Sequence, residues 1–154
     1  MLDLEAIELI KQLKARYFRF IDTCDLEGLK TVFTEDGEAY FKGGHYEFTL
    51  NGWTELEQFY KDSFTPNKFG MHTGHHPEIT VDGETATGIW YLQDIFINLE
   101  ENITISGTAL YNDRYVKVNG EWRIAYTGYK RLLEQMEKRD DRIQVLVKPT
   151  VQTM

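Results

Sequence analysis

Three of the four histidines lie within five residues of one another, at His72, His75 and His76, next to a β-type run. A second segment, Trp90–Asp94, ends an apolar run on a carboxylate. The dipeptide Asp82–Gly83 between them is a hairpin signal, so the two segments are expected to be neighbours in space. In a chain with nine tyrosines, a histidine and an aspartate on one sheet suggest proton transfer in an apolar cavity. The alternative is a histidine that is simply hydrogen-bonded in the core or at its rim.

The same residues suggest a metal site as another possibility. Zinc or iron could bind His72, His75 and Asp94, because imidazole and carboxylate groups are common ligands of both metals. The spacing, however, lacks the HExxH pattern of a helical zinc site, and the sequence has neither a GxGxxG motif nor a P-loop. We therefore expect neither a metal nor an organic cofactor.

Composition restricts the possible partners. A chain of 154 residues can enclose a core and a pocket, and we expect one domain over 1–154. The net charge of −8, with 25 acidic and 17 basic residues, makes nucleic acid and anionic membranes poor partners. The single cysteine, Cys24, and the acidic N-terminus without an apolar segment favour a cytoplasmic protein. A small hydrophobic molecule remains as the expected ligand.

Helical periodicity dominates the first part of the chain. A helix over 3–23 is predicted by one apolar face, formed by Ile10, Leu13, Tyr17 and Ile21. Asp25 is expected to cap a short second helix that ends at the turn 35–37. A third helix follows residues 51–52, where Thr54 and Glu57 have the spacing of a capping box.

Strand periodicity dominates the rest of the chain. Glycines 43–44 indicate a hairpin, and four later β-rich runs are separated by turns, at 77–81, 84–99, 103–118 and 121–132. Three helices combined with long antiparallel strands predict an α+β fold, with a curved antiparallel sheet and the helices around an apolar pocket.

Strand alternation draws attention to two charged residues, Asp94 and Arg131. Asp94 is expected on the apolar face of its strand, together with Ala86, Gly88, Trp90 and Leu92. Arg131 is expected to share a face of the last strand with Arg123, Ala125, Thr127 and Tyr129. Arginine in that position could pair with Asp94, or it could extend into solvent.

Four segments carry a resemblance to a known family: ARYFRFID at 15–22, MHTGHHPEIT at 71–80, ATGIWYLQD at 86–94 and TGYKR at 127–131. They resemble the bile acid dehydratase branch of the SnoaL-like family. The resemblance extends over about residues 3–147. It implies the cone of nuclear transport factor two, ketosteroid isomerase and scytalone dehydratase, a cystatin-like α+β barrel.

The resemblance also implies a set of site residues: Tyr17, Asp22, His72, Asp94 and Arg131. His72 would be the general base, Asp22 would hold its tautomer, and Tyr17 would donate a hydrogen bond to a carbonyl oxygen. Asp94 with Arg131 would assist a leaving hydroxyl or order the pocket. The implied activity is a cofactor-independent dehydratase that removes water from a hydroxylated polycyclic or steroid-like carbonyl compound.

One position departs from the family pattern. A second site tyrosine is expected where this chain has Phe41, with Tyr40 beside it on the opposite strand face. Either the register differs by one residue or the phenol is missing.

Two other functions and a self-association remain open from the sequence. The pocket could serve a double-bond isomerase of the ketosteroid type, or it could bind a hydrophobic ligand without catalysis. We also expect a homo-oligomer, because an open cone leaves apolar sheet surface uncovered. The resemblance to the bile acid dehydratases implies a trimer rather than a dimer. The extension 136–154, which contains the strand-like run 143–147, could pack on a neighbouring subunit.

Overall fold

The structure is a computed structural model and describes residues 1–150. Within these residues the elements are, in chain order, α1 (Leu4–Asp22), α2 (Leu26–Val32), β1 (Phe33–Lys42), β2 (Glu47–Asn51), α3 (Gly52–Ser63), β3 (Lys68–Asp82), β4 (Thr85–Asn98), β5 (Ile103–Val118) and β6 (Glu121–Lys138). The predicted α+β class is confirmed. None of these helices is long and apolar enough to cross a membrane.

The six strands form one curved sheet in the order β2-β1-β6-β5-β4-β3. Strands β2–β1 and β6–β5–β4–β3 pair antiparallel, whereas β1 and β6 run parallel. The predicted antiparallel pairing is therefore wrong for β1 and β6 alone, and the sheet is mixed. A parallel pairing needs a long crossover, and the chain between β1 and β6 supplies it.

Caps define where the helices begin. The Asp3 carboxylate accepts a hydrogen bond from the backbone of Ala6 at 3.0 Å, and the Asp25 carboxylate accepts one from Gly28 at 2.8 Å. The predicted capping box in α3 is wrong, because Gly52, with a φ of +82°, makes the turn and starts the helix earlier. The carboxylate of Glu55 instead accepts a hydrogen bond from the Asn51 backbone at 2.7 Å.

Strand β3 begins nine residues earlier than the predicted run at 77–81. The three histidines consequently lie within the strand instead of ahead of it. The pattern of alternating apolar and polar residues does not predict this part of the strand, because its inward positions are Gly70, His72 and Gly74 and none of them is an ordinary apolar core residue. A bulge between His75 and Glu78 then shifts the register against β4.

Strand β6 also differs from the simple alternation predicted for it. Ile124 pairs with Tyr115 and Tyr126 pairs with Arg114, so Ala125 is an unpaired bulge residue. Because of the extra residue, the alternation of inward and outward side chains shifts by one residue beyond the bulge. The predicted common face of Arg123 and Ala125 with Arg131 is therefore wrong.

The predicted C-terminal extension begins later than expected. Its first residues, Met136–Lys138, belong to β6, and the run 143–147 forms no strand within the described residues. Ile143, Leu146 and Val147 are exposed there. Residues 151–154 of the predicted extension lie outside the described part. Packing on a neighbouring subunit stays a prediction.

A buried ion pair connects α1 to the sheet. Lys14 Nζ lies 2.8 Å from Asp113 Oδ2, and both side chains are 0% exposed. The hydroxyls of Thr127 and Tyr115 donate to the same carboxylate at 2.8 and 2.7 Å, and Lys14 Nζ lies 3.7 Å from the Tyr111 ring centre. Burial lowers the pKa of Lys14, and the charge of Asp113 opposes that shift. No pattern in the sequence predicts this network.

We predict that Lys14→Met lowers the free energy of unfolding by about 3–5 kcal/mol, because it leaves the Asp113 carboxylate buried without its cation. The matched control is Lys42→Met, whose ion pair with Glu47 has side chains 50% and 55% exposed. That variant is expected to lose less than about 1 kcal/mol. Urea unfolding of both variants measures the difference, and equal losses would contradict the structural role of the buried pair.

Candidate active site

A cavity of about 200 Å³ lies on the inner face of the sheet beside the end of α3. Aromatic rings form much of its wall, and charged and phenolic groups form the rest. Its lining residues are Tyr46, Phe48, Phe59, Ser63, Phe64, His72, Asp94, Phe96, Ile105, Tyr129, Arg131 and Glu134. Three of the five predicted site residues, His72, Asp94 and Arg131, are among them.

His72 is held by Asp22, the last residue of α1. The imidazole Nδ1 lies 2.6 Å from Asp22 Oδ1, and the His72 backbone N–H donates to Asp22 Oδ2 at 3.0 Å. A carboxylate can only accept, so Nδ1 carries the proton and the Nε2 lone pair is left free. The side chain of His72 is 10% exposed and lines the cavity, while Asp22 stands behind it.

Aromatic packing fixes the orientation of the imidazole ring. Phe18 stacks on His72 with ring centres 5.9 Å apart and an interplanar angle of 11°, and Phe64 meets it edge-on at 5.6 Å. Gly74 makes this stacking possible, because a Cβ at that position would lie 2.3 Å from the Phe18 ring. The base candidate is therefore held by a hydrogen bond on one edge and by rings on its faces.

Asp94 and Arg131 form the ion pair that the sequence suggested. Both terminal nitrogens of Arg131 donate to the carboxylate, Nη2 to Oδ2 at 2.9 Å. Burial alone would lower the pKa of Arg131, but the hydrogen bonds and charge of Asp94 outweigh it and raise the pKa. Gly107, on the intervening strand β5, is required because a Cβ there would lie 2.0 Å from the Leu133 carbonyl oxygen.

A pair of phenols and a second carboxylate complete the polar wall. The hydroxyls of Tyr46 and Tyr129 are 2.6 Å apart, and Tyr46 also lies 3.2 Å from Glu134 Oε2. Arg131 Nε lies 3.1 Å from Glu134 Oε2, and the Gly44 backbone donates to Glu134 Oε1 at 2.8 Å. Burial raises the pKa of Tyr129 and of Tyr46, so both phenols are neutral donors near neutral pH.

Sequence reasoning missed Tyr46, Tyr129 as a site residue and Glu134. Glu134 lies beyond the predicted end of the last strand, and a bulge at Leu132 brings it to the face of Arg131. Tyr46 directly precedes β2, at the edge of the hairpin. Tyr129 could have been predicted as a site residue, because it lies two residues before Arg131 and residues at that spacing share a face of the strand.

Tyr17 does not line the cavity, contrary to the expectation. It is 1% exposed, and its hydroxyl lies 2.8 Å from the hydroxyl of Tyr60 in the core. Burial raises the pKa of Tyr17 well above its usual value. A helical face shows that a residue points inward, but it does not distinguish the core from a cavity wall.

Neither Tyr40 nor Phe41 supplies the second site phenol. Phe41 is buried, with its ring 4.9 Å from that of Tyr129. Tyr40 lies on the other face of β1 and donates to the carboxylate of Glu47 at 2.7 Å. The phenols that reach the cavity are Tyr46 and Tyr129.

The metal site considered from the sequence is not formed. His75 packs on the exposed ring of Tyr91, 5.9 Å away, whereas His72 points into the cavity. His75 and His72 therefore lie on opposite sides of β3. Over residues 1–150, no group of three histidine, cysteine or acidic side chains could hold a metal ion.

The curved sheet, the helices packed on it and the cavity on its inner face define an α+β cone of the nuclear transport factor two type. Within that class the sequence is more specific. The chain belongs to the SnoaL-like family, whose domain model matches residues 2–128.

Solved structures share the fold. A protein of unknown function from Mycobacterium tuberculosis shares 30% identity at a TM-score of 0.72, over 83% of this chain and 72% of that one. A protein of unknown function with a cystatin-like fold from Nostoc punctiforme shares 25% identity at a TM-score of 0.66, over 85% and 93%. The hexachlorocyclohexane dehydrochlorinase LinA-type3 from Novosphingobium barchaimii has the same fold at 17% identity and a TM-score of 0.77, over 94% and 96%.

Proposed function

We propose that this protein is a cofactor-independent dehydratase that eliminates water from a hydroxylated cyclic carbonyl compound. The observation that carries the proposal is the His72–Asp22 pair, with Nδ1 bound to the carboxylate and the ring lining the cavity. Such a pair is the arrangement of a general base and its orienting acid.

In the proposed first step, Nε2 of His72 takes the proton from the carbon next to the substrate carbonyl. The imidazole becomes an imidazolium, and the Asp22 carboxylate at Nδ1 stabilises the new charge. A positioned base of this kind typically contributes about 10²–10⁴ in rate.

The phenol pair provides the hydrogen bond to the substrate carbonyl in this proposal, in place of Tyr17. Each phenol has one proton, and Tyr46 can give its proton either to Glu134 Oε2 at 3.2 Å or to Tyr129 at 2.6 Å. The proposal requires the second arrangement, in which the proton of Tyr129 is available to the substrate oxygen. Arg131 Nε donates to the Tyr46 oxygen at 3.3 Å and polarises the pair in the same direction. Neutral donors aimed at a developing enolate charge stabilise the transition state.

The departing hydroxyl leaves with a proton and becomes water. The imidazolium of His72 can return the proton that it took, so the reaction balances without a cofactor. Asp94 lies opposite His72 across the β3–β4 pairing and holds Arg131 beside it. The arginine charge stabilises negative charge that develops on the leaving oxygen. The dehydrochlorinase on the same fold is, by its name, also an elimination enzyme, which supports this reaction class.

We predict that His72→Asn lowers turnover by about 10² or more with little change in ligand affinity, because asparagine keeps hydrogen bonding but cannot accept the proton. Asp22→Asn should act on the same step, so the double variant should be scarcely worse than the worse single one. The matched control is His75→Asn on the outer face, which should retain wild-type turnover.

The assay follows the ultraviolet absorbance of the enone formed from a panel of cyclic β-hydroxy ketones. Equal turnover of any substrate by His72→Asn would refute the base assignment. Binding of the whole panel without turnover would favour a ligand-binding module, and migration of a double bond without loss of water would favour an isomerase.

Tyr129→Phe is expected to lower kcat by about 10²-fold, the usual cost of losing one donor to a developing oxyanion. Tyr40→Phe is the matched control, because that phenol lies on the outer face with Glu47. Steady-state kinetics of both variants provide the measurement. A wild-type kcat for Tyr129→Phe would exclude the phenol pair as the carbonyl donor.

A further inference from the structure

A second cavity, of about 240 Å³, lies next to the candidate active site. The end of α1, α2 and the end of α3 enclose it. Its walls are mainly hydrocarbon, from Phe20, Ile21, Leu26, Leu29, Tyr60 and Phe64. The proposed reaction assigns no role to this cavity.

The polar groups around the second cavity are either engaged elsewhere or at its edge. The Tyr60 hydroxyl is paired with that of Tyr17, and the Thr65 hydroxyl accepts hydrogen bonds from two backbone N–H groups of the following turn. Lys61 is exposed. Burial and the charge of Asp22 raise the pKa of Cys24, so its sulfur is a neutral thiol near neutral pH. The cavity therefore suits an uncharged apolar group.

The ring of Phe64 separates the two cavities. Among the described residues, only Phe64 lines both of them. It packs against His72 at 5.6 Å and Phe96 at 5.8 Å on the active-site side, and against Tyr60 at 6.3 Å on the other. Its backbone N–H donates to the Tyr60 carbonyl at 3.1 Å, so the main chain at the end of α3 is anchored.

Cavity volume limits what the active site accepts while the ring is in this position. A cavity of about 150 Å³ holds benzene, whereas sites for drug-sized ligands start at about 300 Å³. The active-site cavity of about 200 Å³ falls between these values. It has room for one or two rings with their oxygen substituents, so a compound with four fused rings could be buried completely only if it also used the space behind Phe64.

We propose that Phe64 determines the substrate size of this protein. In the observed position its ring restricts the active site to one- or two-ring compounds, and the cavity behind it is an apolar subsite that is joined to the active site only when the ring is removed or displaced. This proposal rests on the proposed function in one respect, namely that the cavity lined by His72 is the active site. The size limit itself concerns binding and is measured without turnover.

The test compares Phe64→Ala with wild type by isothermal titration calorimetry, using β-naphthol as the two-ring probe and estradiol as the four-ring probe. Wild type should bind β-naphthol and should bind estradiol at least about tenfold more weakly. Phe64→Ala should tighten estradiol binding by about tenfold or more and change β-naphthol binding by less than about threefold. If the alanine variant does not fold, Phe64→Leu provides a smaller opening and should shift estradiol binding in the same direction.

Cys24, the single cysteine, reports where the ligand lies because it lines the second cavity and not the active-site cavity. Estradiol should slow alkylation of Cys24 by N-ethylmaleimide in Phe64→Ala, whereas β-naphthol should not slow it in either protein. The matched control is Phe96→Ala, which enlarges the active-site cavity but leaves Phe64 as the partition. It should give no protection of Cys24 by estradiol.

Three results would overturn the proposal: equal binding of both probes by wild type, no gain of estradiol binding in a folded Phe64 variant, or no binding of β-naphthol by wild type. Absence of turnover for every hydroxy ketone, with the binding pattern as expected, would instead refute the proposed dehydratase function alone.

Discussion

The buried ion pair between Lys14 and Asp113 determines where α1 lies on the sheet. Two charges removed from water cost several kcal/mol each unless their remaining hydrogen bonds are satisfied, and Thr127 and Tyr115 satisfy those of the carboxylate. A displaced helix would lengthen the ion pair and leave two buried charges without compensation. Asp22 follows eight residues later, about 12 Å along the helix axis, so its position is fixed from the same anchor.

The position of α1 in turn organises the candidate active site. Asp22 meets both the ring and the backbone of His72, which couples the helix end to β3. Phe18, from the turn of the helix before Asp22, stacks on the same imidazole. The opposite wall is held by side-chain pairs between β4 and β6, with Arg131 between two carboxylates. The site therefore combines a base fixed by the helix with charges fixed by the sheet.

Sequence predicted those parts of the structure in which one physical pattern is uninterrupted. Strand β4 alternates between buried and exposed residues along most of its length, so the inward position of Asp94 followed directly from its neighbours. The hairpin signal at Asp82–Gly83 predicted that the two flanking segments are neighbours, and the structure confirms this, with His72 opposite Asp94. The beginning of β3 was concealed because glycine and histidine occupy the inward positions, where apolar side chains would have given the signal.

The remaining features depend on contacts between distant segments. A lysine on a helix is ordinarily predicted to be exposed to solvent. The burial of Lys14 is explained only by its partner Asp113, 99 positions away in the sequence. Glu134 reaches the cavity through a bulge, which periodicity alone does not reveal. Tyr17 was correctly predicted to point inward, but its pairing with Tyr60 keeps it in the core.

The protonation state of His72 is the most direct test of the account, because it requires no knowledge of the substrate. Two-bond proton–nitrogen correlation spectra of nitrogen-15-labelled protein distinguish the two ring nitrogens, and the His72→Asn spectrum assigns the signals. For the neutral ring, we expect a proton on Nδ1 and an unprotonated Nε2 facing the cavity. A neutral His72 with its proton on Nε2 would contradict the assignment of this residue as the general base.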